Sequence, residues 1–318
     1  MKKILITGAS GQIGTELTEM LRHQYGVENV VATNLHDGIN ETVEKNGIFE
    51  VLDVKDEKKL FDLVKTHKID TIMNLAALLS AVGEKNPNLL WDVNMNGLYN
   101  CLEVARETGA MLFTPSSIAA FGPSTPADKT PQDTIQRPTT IYGVSKVAGE
   151  LLCDYYHSKF GVDTRGVRFP GLVSYKALPG GGTTDYAVHI YYEALKAKKY
   201  TCYVNENTFM DMMYMPDALD SILTLCEADG SKLIHRNAFN ITAMSFNPED
   251  IKREIQKHIP EFTMDYEIDE IKQRIADSWP NSLDDSCARQ EWGWNPKYDL
   301  EKMTIDMLEK LRVKLDIK

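Results

Sequence analysis

A glycine-rich turn near the start of the chain limits its fold more strongly than any other feature. The apolar run Ile4–Ile6 has the length and composition of a buried strand, and from Thr15 onward apolar residues recur at helical spacing. Between them, Gly8 permits a tight bend, Gly11 lets the backbone approach a pyrophosphate, and Gly14 lets the helix pack closely on the strand. The sequence therefore predicts a dinucleotide site at the N-terminus of the first helix. A glycine turn that binds no nucleotide is the alternative.

The alternation of strand and helix patterns continues for about 170 residues. It predicts an α/β fold built on a Rossmann-type doubly wound parallel sheet, and 318 residues leave room for a smaller, mixed C-terminal substrate lobe. After the first strand, the predicted strands are 29–34, 49–53, 69–77 and 110–117. Ligands of such sheets bind at the carboxyl ends of the strands, so the residues there are candidates for the site.

Three of these strand ends supply candidate contacts to the cofactor. Asn34 ends the second strand, where an acidic residue usually accepts hydrogen bonds from the adenosine ribose. An amide can also accept these bonds, and because no arginine stands nearby to bind a 2′-phosphate, the sequence favours NAD over NADP. Asp53 and Val54 stand at the end of the third strand and are placed to reach the adenine. Ala76 and Ala77 end the fourth strand and are small enough to let the dinucleotide pass close by.

Four side chains further along the chain form a candidate catalytic set. Tyr142 and Lys146 are four residues apart in a predicted helix, so both project from one face of it. The lysine ammonium would favour the phenolate of the tyrosine, which would then serve as a base toward an alcohol. Ser116 and Ser117 end the fifth strand, and either hydroxyl is a candidate to hold the substrate oxygen. Tyrosine and lysine at this spacing also occur on ordinary surface helices, so the prediction of hydride transfer depends on the glycine turn as well.

The composition argues against several partners and compartments. The net charge is −11, and an acidic surface gains no counterion release from nucleic acid or from an anionic membrane. The five cysteines are scattered without the paired spacing of zinc sites, so the sequence predicts reduced thiols and no metal. No run approaches the roughly 20 apolar residues of a membrane span, and the first strand follows Met1–Lys3 without space for a signal peptide. We therefore expect a cytoplasmic protein that binds neither nucleic acid nor membrane.

The order and spacing of these motifs resemble those of the extended short-chain dehydrogenase/reductases, the relatives of nucleotide-sugar epimerases and dehydratases. The matching segments are 8–14, 74–77, 116–117, 142–146 and 168–171. The chain departs from the family pattern at Asn34, which replaces the expected acid, and at Phe121, where sugar epimerases tend to carry tyrosine. The resemblance implies NAD as the cofactor, with further contacts from Gln12, Ile13, Leu75, Asn94, Tyr142, Lys146, Pro170 and Leu172.

The resemblance also implies how the chain is divided. Residues 1–172 would form the NAD-binding domain, to which 208–241 return, while 173–207 and 242–318 would form the substrate-binding lobe. It further implies a homodimer built through two long helices, 91–108 and 141–160. Asn94 lies inside the first of these helices, where we expect its side chain to hold a neighbouring turn in place.

Four further segments narrow the resemblance to the short-chain-type L-threonine 3-dehydrogenases. They are 115–123, 178–186, 211–217 and 278–282, and the Gly-Gly-Gly-Thr-Thr-Asp string at 180–185 is the sharpest signal among them. That family uses NAD to oxidise the β-hydroxyl of L-threonine to 2-amino-3-oxobutyrate. Tyr142 would remove the hydroxyl proton, Ser117 or Ser116 would hold the oxygen, and Lys146 would also bind the cofactor ribose.

Threonine is a small zwitterion, so its pocket needs donors for a carboxylate and acceptors for an ammonium group. The glycines would let a loop close over the substrate, and Trp279 would exclude water. The candidate substrate contacts, besides Ser117 and Tyr142, are Ser80, Gly180, Gly181, Thr183, Thr184, Asp185 and Trp279.

Two alternatives remain open on the sequence alone. A nucleotide-sugar epimerase or dehydratase of the same fold would need arginines in the smaller lobe for a second diphosphate, and Arg253, Arg274 and Arg289 are available there. A non-catalytic, NAD-sensing Rossmann protein would have no need of the tyrosine, lysine and serine set.

Overall fold

The computed structural model describes residues 1–176 and 182–317. Its strands are β1 Ile4–Thr7, β2 Val30–Asn34, β3 Ile48–Val51, β4 Thr71–Asn74, β5 Met111–Phe113, β6 Ser116–Ser117, β7 Thr164–Arg165, β8 Val167–Phe169, β9 Gly171–Val173, β10 Lys199–Cys202, β11 Met210–Tyr214, β12 Phe239–Asn240, β13 Met244–Phe246 and β14 Thr263–Tyr266.

The α-helices surround these strands along the chain. They are α1 Gln12–Tyr25, α2 Glu41–Lys45, α3 Glu57–Thr66, α4 Ser80–Lys85, α5 Pro87–Trp91, α6 Gly97–Thr108, α7 Ile141–Phe160, α8 Tyr186–Lys196, α9 Met215–Glu227, α10 Pro248–Gln256, α11 Glu270–Ala276, α12 Ser286–Trp292 and α13 Leu300–Leu315. None of the described helices combines the length and apolar character needed to cross a membrane.

The main sheet has six parallel strands in the order β3-β2-β1-β4-β5-β7. Its central strand β1 is buried on both faces, because Ile4 and Ile6 pack into one core cluster with Leu17 while Leu5 packs into another with Leu102. Side chains of a strand alternate between faces, so a fully apolar strand needs helices on both sides. The predicted α/β fold with a Rossmann-type doubly wound sheet is confirmed.

The predicted fifth strand, 110–117, is in fact two strands that belong to different sheets. β5 pairs with β4 and β7 in the main sheet, whereas β6 pairs with β8 in a separate parallel sheet of order β12-β8-β6. Pro115 lies at the break, and proline has no N–H to donate to a ladder. The two candidate serines therefore stand on a strand of their own, close to the carboxyl end of β5.

A smaller group of strands and helices lies outside the main sheet. β9 pairs in parallel with β11, β11 pairs antiparallel with β13, and β10 pairs with β14, so the smaller part is mixed as predicted. Its own core includes Tyr186, Tyr191, Phe246 and Met307. Trp292, although it lies within 242–318, packs with Phe239 in the core of the main sheet. The division of the chain into two domains at the stated boundaries stays a prediction.

The helix predicted over 91–108 is interrupted. Its first residue, Trp91, is the last of α5; a π-helical turn at Asp92–Asn96 follows, and then α6. Turns of this kind are frequent at functional sites because they redirect side chains, and here the turn carries Asn94.

Candidate active site

The glycine-rich turn between β1 and α1 has no space for side chains at two of its glycines. Gly8 has a φ of +66°, and a Cβ there would lie 2.8 Å from the backbone nitrogen of Ala76. A Cβ on Gly14 would lie 2.3 Å from the carbonyl oxygen of Gly8. The turn and the close approach of α1 to the strand therefore require glycine at both positions.

The same turn presents donors that fit a dinucleotide phosphate. α1 begins after Gly11 with no side-chain cap, which leaves backbone N–H groups at the positive end of the helix. The Oγ of Ser10 and the Nε2 of Gln12 are buried and have no hydrogen-bond partner among residues 1–176 and 182–317. Buried polar groups normally have a hydrogen-bond partner. The pyrophosphate of NAD would supply an acceptor for these two donors.

The predicted adenosine contacts lie at the carboxyl ends of β2 and β3. The carbonyl of Asn34 accepts a hydrogen bond from Leu52 N–H at 2.8 Å, which ties these two strand ends together. Asp53 accepts one from Lys55 N–H at 3.0 Å. Val54 is buried, and its carbonyl accepts from Asn100 at 3.0 Å.

Asn94 holds the turn that follows β4. Its Oδ1 accepts from Leu78 N–H at 2.8 Å, and its Nδ2 donates to Leu78 O at 3.1 Å. The amide side chain thus bonds both backbone groups of Leu78, as a neighbouring strand would, and so holds the segment that contains Ala76 and Ala77. The prediction that Asn94 holds a neighbouring turn is confirmed.

Tyr142 and Lys146 occupy the first two turns of α7. Thr140 caps this helix by accepting from Gly143 N–H at 3.1 Å, and the Nζ of Lys146 lies 5.3 Å from the centre of the Tyr142 ring. The same Nζ donates to Pro115 O at 2.7 Å, which connects α7 to the segment before β6. The N-terminal end of a helix favours negative charge, and Tyr142 lies in the first turn of α7 beside the lysine ammonium group.

The two serines of β6 point to different surroundings. Ser116 donates a short hydrogen bond to Glu150, and Glu150 forms a buried ion pair with Arg168 at 2.8 Å. Ser117 accepts from Ala119 N–H at 3.2 Å, and its own hydroxyl hydrogen has no acceptor within 1–176 and 182–317. Neighbouring residues of a strand face opposite ways, which explains why only one of the two serines is bound to this ion pair.

One cavity of ≈ 200 Å³ brings together most of the predicted catalytic, nicotinamide and substrate residues. The predicted residues that line it are Gln12, Ile13, Leu75, Ala77, Ser80, Ser116, Ser117, Tyr142, Lys146, Pro170, Leu172, Thr183, Thr184, Asp185 and Trp279. Ala76 and Asn94 line a smaller adjoining cavity of ≈ 40 Å³, which also has Lys146 in its wall. Gly180 and Gly181 lie outside the described residues.

Thr183, Thr184 and Asp185 form a short 3₁₀ turn before α8. Asp185 accepts from Gly182 N–H at 2.5 Å, so part of its carboxylate stabilises the turn. The hydroxyl of Tyr203 donates to the carbonyl of Thr183 at 3.3 Å. Trp279 packs against Ile118 and Phe121 on one side and the core of the smaller part on the other. Contacts with neighbouring residues of the fold therefore hold the threonines, the aspartate and the tryptophan in place.

Two residues of the site, Glu150 and Gly182, were not predicted from the sequence. Glu150 lies four residues after Lys146, just as Lys146 lies four residues after Tyr142. Its position on the same helical face could therefore have been predicted from the sequence. Its pairing with Arg168 could not be inferred, because that contact depends on how β8 lies beside β6. Gly182 lines the cavity together with the threonines that follow it.

Comparison with known proteins agrees with this geometry. Residues 4–242 match the family described as the NAD dependent epimerase/dehydratase family. An uncharacterized epimerase/dehydratase of Staphylococcus saprophyticus is 59% identical over 314 residues, which cover 99% of this chain and 98% of the relative.

Solved structures of threonine dehydrogenases are also similar to this chain. That of L-threonine dehydrogenase from Clostridium difficile is 63% identical, with a TM-score of 0.98 over 99% of this chain and 98% of that one. That of a monomeric L-threonine 3-dehydrogenase from a metagenome is 46% identical, with a TM-score of 0.93 over 98% and 99%. The predicted resemblance is confirmed, and the chain belongs to the NAD dependent epimerase/dehydratase family.

Proposed function

We propose that this protein is an NAD-dependent oxidoreductase that converts L-threonine to 2-amino-3-oxobutyrate. The observation that carries the proposal is the make-up of the ≈ 200 Å³ cavity, where Tyr142, Lys146 and Ser117 meet the threonine pair Thr183 and Thr184. The similarity to solved L-threonine dehydrogenases supports the same substrate.

The charges in the cavity favour a small zwitterion over a nucleotide sugar. Among the described residues that line it, Lys146 and Asp185 are the only charged ones, and no arginine is present. A nucleotide sugar carries a diphosphate, which proteins usually bind with arginine. One cationic and one anionic side chain instead match an amino acid, whose ammonium and carboxylate charges cancel.

The residues of the chain would divide the chemistry as follows. Ser117 donates to the β-oxygen of the substrate, and Tyr142, as the phenolate favoured by Lys146, removes the proton from that oxygen. NAD supplies the acceptor for the hydride that leaves Cβ. Gln12 and Ile13, at the start of α1, line the same cavity and would orient the cofactor toward Tyr142.

Recognition of the two charged substrate groups would fall to other residues that line the cavity. Ser80, Thr183 and Thr184 offer hydroxyl donors for the carboxylate, and Asp185 would accept from the ammonium group. Trp279 would cover the substrate and exclude water from the site of hydride transfer. Gly180 and Gly181 are part of this proposal only as sequence predictions.

We further propose a homodimer formed through α6 and α7. Val144, Leu151 and Tyr155 expose 41%, 62% and 51% of their surface along one stripe of α7, and Tyr99 on α6 is 47% exposed. Exposed apolar stripes of this kind often mark interfaces. Because one similar threonine dehydrogenase is described as monomeric, the mass of the protein in solution has to be measured by light scattering.

NADH formation measured at fixed NAD tests the proposal. We expect activity with L-threonine that clearly exceeds activity with L-serine, L-allo-threonine or UDP-sugars. No NADH with L-threonine would refute the assigned substrate, and conversion of a UDP-sugar would support the epimerase alternative. Binding of NAD without turnover of any of these substrates would favour a sensing protein.

A further inference from the structure

A cluster of three potential metal ligands lies outside the active site. One nitrogen of His235, the thiol of Cys287 and a carboxylate oxygen of Glu291 lie within 4.8 Å of one another. They are half-buried, and none of them lines the cavity that contains Tyr142. No spacing pattern in the sequence predicts this cluster, because the cysteine and the histidine belong to distant segments.

The fold positions each of these side chains. Cys287 and Glu291 are four residues apart on α12, so they project from the same face of the helix. The Oε2 of Glu291 accepts from the backbone N–H groups of Ile234 at 2.6 Å and of His235 at 3.1 Å. This leaves Oε1, which forms a short hydrogen bond with the Nδ1 of His235. The carboxylate is thus fixed by backbone donors while one oxygen faces the ring.

A second carboxylate lies on the other side of the imidazole. Asp133 Oδ2 is 3.5 Å from the Nε2 of His235. Within the part of the chain that the structure describes, His235 is the only ion-pair partner of Asp133 and of Glu291. Two carboxylates without a lysine or arginine beside them create a negative potential that attracts a cation.

We propose that His235, Cys287 and Glu291 bind a divalent cation of the zinc class. Thiolate, imidazole and carboxylate are all ligands that zinc accepts, whereas magnesium and calcium prefer oxygen alone. The metal takes the place of the hydrogen bond between Nδ1 and Oε1, and water completes the four ligands. The imidazole proton then lies on Nε2, where it donates to Asp133 in the carboxylate–histidine–metal arrangement that orients such ligands. The thiol of Cys287 releases its proton to solvent on binding.

Such a metal would connect α12 to the segment that precedes β12. That segment is next to Gln132, whose side chain accepts from Asn240 N–H at 2.8 Å and donates to Ala238 O at 2.9 Å. We therefore assign the metal a stabilising role, since binding to the folded state alone raises the stability of that state.

Cobalt titration of the chelator-treated full-length protein tests the proposal. One equivalent of Co²⁺ should produce the near-ultraviolet charge-transfer band of a cobalt–thiolate bond, and Zn²⁺ should remove it by displacement. In Cys287→Ser the band should be lost, because the other four cysteines are buried. In Glu291→Gln, which keeps an oxygen for the backbone donors, cobalt affinity should fall at least about tenfold.

Controls separate this site from adventitious binding and from misfolding. His36→Gln removes an exposed histidine elsewhere and should leave the cobalt titration unchanged. Zn²⁺ should raise the Tm of the wild type by a few degrees and leave that of Cys287→Ser or His235→Gln unchanged. A missing band in the wild type, or a band of equal size in Cys287→Ser, would overturn the proposal.

Discussion

Ser116 donates its hydroxyl to Glu150, which lies one helical turn beyond Lys146 on α7. Glu150 also accepts from the Nε and one terminal nitrogen of Arg168 at 3.0 and 2.8 Å, and from Gln136 at 2.7 Å. The helix that carries Tyr142 is thereby tied to β6 and β8. Because this contact occupies the hydroxyl hydrogen of Ser116, we expect Ser117 to be the serine that donates to a substrate oxygen.

We expect Ser117→Ala to lower kcat/KM for L-threonine by about 10²-fold, the usual cost of losing one donor to a reacting oxygen. Thermal stability should change little, because Ser117 is only partly buried and, among the described residues, its side chain hydrogen-bonds only within its own turn. The comparison with Ser116→Ala decides which serine acts on the substrate. A larger kinetic loss in Ser116→Ala, at unchanged Tm, would contradict the assignment.

Glu150→Ala should destabilise the fold by about 3–5 kcal/mol, because it leaves the buried guanidinium of Arg168 without its partner. Denaturant unfolding monitored by circular dichroism measures this loss. The double variant Glu150→Ala, Arg168→Met should lose less than the sum of the two single variants. Equal stability of Glu150→Ala and the wild type would show that the ion pair does not hold α7 against β8.

Gly14→Ala should lower the thermal stability of the protein, whereas Gly11→Ala should weaken its binding of NAD. An alanine Cβ at Gly14 would lie 2.3 Å from a carbonyl oxygen, so we expect a lower Tm. At Gly11 the nearest atom is 3.3 Å away, so the fold should tolerate the change while NAD binding weakens, since the Cβ stands where the pyrophosphate approaches. Thermal melts and fluorescence titration with NADH measure the two effects. Unchanged NADH affinity in Gly11→Ala would argue against this cofactor position.

Asp211 should make the stability of the protein depend on pH. Burial raises the pKa of this carboxyl to about 8, although Thr242 and the N–H of Leu283 donate to it at 2.6 and 2.8 Å. An unfolded aspartate has a pKa of about 3.9. Since the folded pKa is the higher one, the stabilising contribution is complete below pH ~4 and is lost as the pH rises toward 8.

Asp211→Asn removes this titration and keeps an oxygen that can accept from one of the two donors. Between pH 5 and pH 9 we expect the wild type to lose unfolding free energy relative to Asp211→Asn, by on the order of 1 kcal/mol or more. Urea unfolding of both proteins at several pH values measures the difference. A difference that does not change with pH would contradict the raised pKa.

The sequence predicted those features of the fold and site that depend on local spacing. The glycine turn, strands β1 to β5 of the main sheet and the placement of Tyr142 and Lys146 on one helical face all follow from local patterns along the chain. The short edge strand β7 was not predicted. The tie between Asn94 and a neighbouring segment was also predicted correctly, whereas its contact with the cofactor stays a prediction.

Features that depend on contacts between distant segments could not be predicted in this way. The break at Pro115 transfers β6 to a different sheet, and only the pairing of β6 with β8 reveals which serine meets Glu150. The proximity of His235 to Cys287 likewise depends on where α12 packs, which no periodicity in the chain specifies.

Tyr142→Phe tests the central claim most directly. Steady-state NADH formation from L-threonine should fall by a factor of about 10²–10⁴ in kcat, because phenylalanine keeps the ring and removes the group that takes the proton. Affinity for NADH, measured by fluorescence on the same preparation, should stay within about twofold of the wild type, since the ring still fills its place beside Lys146. A Tyr142→Phe protein that retains near-full kcat with L-threonine would contradict the proposed mechanism.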